Sequence, residues 1–152
     1  MANMTDQARV NSILQALFTS SSNATITGGT GGGGTTTATP PYSLRLMTAQ
    51  GSNTSNGTEA TSGNCPGYTA GGSSLGASAF AAPSAGSQSN NNSVSWSATG
   101  SWTTIVAIEI WDNAAVKLRW LQGALTSNIT GVANGDTVQF AAGSISANAS
   151  SW

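Results

Sequence analysis

Trp102-Thr103-Thr104-Ile105-Val106-Ala107-Ile108-Glu109-Ile110-Trp111 is the stretch that decides the fold class. β-Branched and aromatic residues occupy both parities of it, the pattern of a strand buried on two sides. Asp112-Asn113-Ala114 then supplies turn chemistry, and Val116, Leu118 and Trp120 alternate with Lys117 and Arg119 on the way back. The two runs predict a hairpin. Glu109 on the outgoing strand is expected to pair with Lys117 or Arg119 across it.

Working outward, the same alternation recurs in shorter pieces. Tyr42, Leu44 and Leu46 alternate with Ser43 and Arg45, and Val94, Trp96 and Ala98 form another short strand. Between them, residues 51–92 are rich in turn residues, with Tyr68, Leu75 and Phe80 as the side chains able to anchor the stretch. Downstream, a second hairpin is expected from the strand near Leu125 to Val138-Gln139-Phe140, turning at Asn134-Gly135, and Ile145 closes a last short strand. The fold class is mainly β, an antiparallel β-sandwich or barrel-like sheet with one short N-terminal α-helix.

That helix is read within residues 1–19. Thr5 caps it, Asp6 sits in its first turn, and Val10, Ile13, Leu14, Leu17 and Phe18 recur at helical spacing. Residues 20–41 form a Gly/Thr-rich extended linker or arm, containing Gly28, Gly29 and Gly31 to Gly34 before Thr35 to Thr37. Residues 42–152 make the β domain. The arm has almost no apolar side chains to offset the conformational entropy lost on ordering, so a neighbouring chain is expected to order it. Leu14, Leu17, Phe18, Gly31, Thr35, Thr36 and Trp152 are the candidate interface residues, Trp152 as an aromatic anchor of the kind that dominates interfaces.

Composition excludes several kinds of work. Four basic residues face five acidic ones and histidine is absent. Four scattered cations cannot neutralise a run of phosphates, so nucleic acid is not an expected partner. Without histidine the commonest general acid, base and metal ligand is missing. A net charge of −1 gives little protection against association, which favours an assembled state over a free monomer. The longest strongly apolar run, around Ile105 to Trp111, is too short to span a bilayer. No secretory leader pattern is read at the N-terminus, so folding in a cytoplasm is expected.

Candidate chemistry is thin. Glu109, Asp112 and Asp136 flank turns and are expected to be structural rather than a catalytic carboxylate pair. Asp112 and Asn113 are too few to hold a metal. The glycine tract ends Gly34-Thr35-Thr36, without the lysine of a phosphate loop. Cys65, the single cysteine, has no histidine to activate it. The five tryptophans raise the possibility of sugar stacking, although Trp96, Trp102, Trp111 and Trp120 stand at alternating strand positions that normally pack inward. No catalytic, cofactor-binding or metal residues are assigned, and no cofactor is expected.

The order of features resembles a known family. Thr5-Asp6-Gln7-Ala8-Arg9 through Leu17-Phe18 leads to a Pro-Pro-Tyr step into Tyr42 to Met47; Gly57-Thr58-Glu59-Ala60, Gly67-Tyr68 and the Trp102 to Asp112 strand follow. Gly123-Ala124-Leu125-Thr126 and Asn134-Gly135-Asp136-Thr137-Val138-Gln139-Phe140-Ala141-Ala142-Gly143 close the series. This resembles the small virion proteins of tailed bacteriophages labelled tail fibre protein, some of which look like capsid decoration proteins. The resemblance implies a β-rich, often trimeric particle component without catalytic residues. The expected function is therefore a non-enzymatic, homo-oligomeric virion structural protein, assembled in the host cytoplasm. Its first expected role is capsid decoration, stabilising the head beside the major capsid protein. The alternative is a tail fibre or tail-tip component contacting the host surface, and a carbohydrate-binding module is a third reading.

Overall fold

The computed structural model describes residues 24–27, 35–52, 54–76 and 78–148. Every regular element among them is a strand. The helix expected within residues 1–19 lies outside the described residues, and so do Leu14, Leu17, Phe18, Gly31 and Trp152. The strands run β1 (Ala24–Thr27), β2 (Thr35–Ala38), β3 (Tyr42–Ala49), β4 (Thr58–Glu59), β5 (Ser73–Gly76) and β6 (Ser87–Ser89). β7 (Val94–Ser97), β8 (Ile105–Trp111), β9 (Arg119–Ile129), β10 (Thr137–Phe140) and β11 (Ser146–Asn148) complete the order.

β8 lies in the five-stranded sheet, between β3 and β9; β4 and β5 both pair with the far side of β3. All the pairings are antiparallel. Directly opposed residues share a face, so the register sorts the side chains. Leu44 opposite Ile110 and Leu46 opposite Ile108 face one way, while Arg45 opposite Glu109 and Met47 opposite Ala107 face the other. The first face is apolar. Leu44, Leu46 and Ile110 join Tyr68, Leu75, Phe80, Val94 and Trp96 in one buried cluster. Two ribbons, β7 with β10 and β6 with β11, contribute Val138 and Ala147 to it. Each large apolar side chain sealed there stabilises the fold by roughly 1.5–3 kcal/mol relative to exposure.

The expected two-sided burial of β8 holds: Ile105, Ala107, Glu109, Ile110 and Trp111 are all buried. Its second face is not apolar, however, because it carries Glu109. Tyr68, Leu75 and Phe80 anchor the turn-rich stretch from inside the core, as their chemistry predicts. Two glycines there stand where the chain approaches another backbone. A Cβ on Gly72 (φ +76°) would lie 2.0 Å from the Leu44 carbonyl oxygen, and one on Gly67 (φ +94°) 2.2 Å from that of Ser97. Neither position accepts a side chain without displacing a strand.

Two expected pairings are corrected. The hairpin from the strand near Leu125 to Val138-Gln139-Phe140 does not form: β10 pairs with β7, setting Val138 against Trp96 and Phe140 against Val94. The Asn134-Gly135 turn does exist, with Asp136 N–H donating to the Ala133 carbonyl, but Gly135 N–H donates to the Ala98 carbonyl beside β7. Cross-strand packing on Trp96 outweighs the local preference for a nearest-neighbour hairpin. The return strand of the first hairpin also starts later than the alternation predicts. Val116 is 79% and Leu118 37% exposed, and pairing begins at Arg119. Asp112 draws residues 112–118 into a loop around its own carboxylate instead.

The arm likewise pairs within its own chain. Ala24–Thr27 lies against Thr35–Ala38, with Thr35 opposite Thr27 and Thr36 opposite Ile26. The β-branched Thr and Ile residues on both sides suit a ribbon. Ala38 is fully buried in the core cluster, so the β domain takes in residues before position 42.

Candidate functional site

The charged side chains of β3, β8 and β9 gather on the second face of the five-stranded sheet. Glu109 is held by register opposite Arg45 on one side and Gln122 on the other. Its carboxylate is 1% exposed and accepts from Gly57 N–H at 2.8 Å, Trp111 Nε1–H at 2.9 Å and Arg119 Nη1–H at 2.8 Å. Arg119 also donates to the carbonyls of Ser55 and Ser52, so a single guanidinium ties the 50–57 loop to β8. Arg45 pairs with Glu59 at 3.1 Å and stacks over Trp111, its guanidinium carbon 4.3 Å from the ring centroid. Glu59 further accepts from Tyr68 Oη–H at 2.8 Å and Gly71 N–H at 2.6 Å.

Asp112 completes the set at the end of β8. It is 1% exposed and accepts from Leu118 N–H at 2.8 Å, Ala114 N–H at 3.4 Å and Trp120 Nε1–H at 3.1 Å. Lys117, the other cation offered for Glu109, donates instead to Asn113 Oδ1 at 3.0 Å. Burying a carboxylate requires that its hydration be replaced by donors. That requirement explains why the chain wraps around Glu109 and Asp112. The arrangement fixes two loops and leaves these carboxylates facing their own donors rather than a cleft.

Burial also weakens the acids nearby. The Tyr68 phenol is held well above its ordinary value, first by burial and then by its hydrogen bond to Glu59. Tyr42 is pushed up to about 12 by burial, with the Asp112 charge adding to it. The buried Cys65 thiol is raised too, by burial against a partly opposing backbone hydrogen bond, which disfavours the nucleophilic thiolate. A phenol raised in the folded state contributes stability that is complete below the unfolded value of about 10 and is lost as pH climbs through about 12. Chemical denaturation at neutral and strongly alkaline pH should show that loss, and Tyr42→Phe should reduce it. An unchanged alkaline slope in the variant would contradict this placement.

Of the four described tryptophans expected to pack inward, three are buried and Trp120 is half-buried. Trp96, Trp102 and Trp111 are 7%, 7% and 9% exposed, so they pack inward rather than offering a platform to a sugar. Thr35 and Thr36 stand in β2, paired within the chain. No cluster of three or more metal-ligating side chains occurs among the described residues.

The surface that sequence reading missed lies along β9. A groove of about 560 Å³ opens there, with Ile108, Leu125, Ile129 and Phe140 half-buried on its walls and Gln139 and Ser144 at its margin. Leu125 and Phe140 are recognisable in the sequence as strand residues. Their partial exposure follows from the pairing of β10 with β7, which alternation does not reveal.

Comparison with known proteins adds one finding to this geometry. A search of curated proteins gives no match. A family model, Gp80, described as podophage GP4 fiber I protein gp80, matches residues 18–148, which is most of the chain and includes every described strand. The chain belongs to this Gp80 family and is a phage structural protein of the fibre type.

Proposed function

We propose that the chain is a non-catalytic, self-associating subunit of the phage tail fibre, in contact with other tail proteins or with the host surface. The family match over residues 18–148 carries this reading. It favours the fibre role over capsid decoration, the role first expected from the resemblance. The sheet's second face is consistent with it, since Glu59, Glu109 and Asp112 are spent on holding loops in place. Mass spectrometry of purified particles, with gold labelling of the protein, tests the proposal. A few copies per particle located at the tail are expected. Many copies spread over the capsid would overturn the fibre role and restore decoration.

A further inference from the structure

Asn-Gly occurs twice in the sequence, at Asn56-Gly57 and Asn134-Gly135. The dipeptide carries chemistry of its own, because glycine has no side chain to hinder attack by its backbone nitrogen on the preceding side-chain amide. In that reaction the glycine nitrogen loses its proton and bonds to the asparagine Cγ, and the Cγ–Nδ2 bond breaks to release ammonia. Water then opens the five-membered ring at either carbonyl, leaving aspartate or isoaspartate. No other reactant is needed. Asn56 and Asn134 are both exposed, so water reaches each of them. What differs is the partner of the attacking nitrogen.

We infer that Asn134 is the site at which the folded chain undergoes spontaneous deamidation, and that Glu109 withholds the same reaction from Asn56. Gly57 N–H donates at 2.8 Å to the Glu109 carboxylate, which is 1% exposed. Gly135 N–H donates at 2.9 Å to the carbonyl of Ala98, a neutral acceptor. Attack requires the nitrogen to turn towards the asparagine side chain and give up its proton, so this hydrogen bond must break first. A bond to a carboxylate is roughly twice as strong as one to a neutral oxygen. Breaking it also leaves a buried charge short of a donor. Space points the same way. A Cβ on Gly57 would lie 2.6 Å from the Ala49 carbonyl oxygen, whereas one on Gly135 would meet nothing within 4 Å. The ring therefore has room to close at Asn134 and not at Asn56. Conversion of Asn134 adds a negative charge to a chain whose net charge is −1, in the turn where Asp136 Oδ2 already accepts from Ala133 N–H at 2.8 Å. The isoaspartate product also lengthens the backbone of that turn, which leads into β10 beside β7.

Peptide mapping by mass spectrometry tests this on the full chain, incubated at mildly alkaline pH with and without urea. In urea the two sites should convert at similar rates, since the same dipeptide then reacts without the fold. In the folded wild type Asn134 should convert several-fold faster than Asn56. Glu109→Gln should raise the Asn56 rate several-fold and leave the Asn134 rate unchanged, because Gly57 N–H then meets a neutral oxygen while Arg119 still holds the carbonyls of Ser52 and Ser55. If that variant unfolds, as circular dichroism would report, both rates rise together and the wild-type ratio decides the matter alone. Equal rates at the two sites in the folded wild type would overturn the inference, and so would the absence of conversion at Asn134. An unchanged Asn56 rate in a folded Glu109→Gln chain would overturn the role of Glu109.

Discussion

Arg119→Met should lower the unfolding free energy by about 3–5 kcal/mol, the loss typical of removing one partner from a buried ion pair. Glu109 would keep Gly57 N–H and Trp111 Nε1–H as donors but lose Arg119, its only counter-charge within hydrogen-bonding reach among the described residues. The carboxylate is 1% exposed, so water cannot replace the guanidinium without opening the sheet. The variant also releases the carbonyls of Ser52 and Ser55, which should loosen the 50–57 loop. Urea denaturation measures the first effect, and hydrogen exchange at Gly57 reports the second. The double variant Glu109→Gln/Arg119→Met should recover part of the loss, since no charge is then left unpaired. A single-variant loss below about 1 kcal/mol would place the pair with surface ion pairs and sink the argument that it organises this face.

The other large effect belongs to the apolar face. Phe80→Ala should destabilise by about 3–5 kcal/mol, the range for truncating a fully buried aromatic side chain. Phe80 is 0% exposed and bridges Asn90, joining the turn-rich stretch to the core cluster. Val116→Ala is the internal control, because a residue 79% exposed should change stability by no more than about 0.5 kcal/mol. Denaturant midpoints for the pair give the comparison. Similar midpoints would mean that the stretch before β7 is not integral to the core.

These two sites differ in how much of them the sequence reveals. Phe80 is legible as an anchor because it is one of few apolar residues in a segment of turn residues, and such a residue has little alternative to the interior. Glu109 is legible as a partner for a cation across the hairpin, and Arg119 fills that place at 2.8 Å. Its other donors are not legible. Gly57 lies 52 residues away, and nothing local to either residue marks the contact. Asp112 reads as a turn residue, yet its buried carboxylate gathers Leu118 and Trp120 and delays the start of β9.

By itself the sequence determined the strand character of Tyr42–Ala49, Val94–Ser97 and Ile105–Trp111, and the burial of β8 on both sides. These properties are local: alternation and β-branching act on each residue and its near neighbours. The tertiary structure alone decided that β10 lies on β7, that the arm's β2 pairs with β1, and that β9 ends the sheet among the described residues, beside an uncharged groove. Strand partners are chosen by packing between segments far apart in the chain. Val138 has the same alternation wherever β10 lies, and only the presence of Trp96 across the ladder fixes its partner.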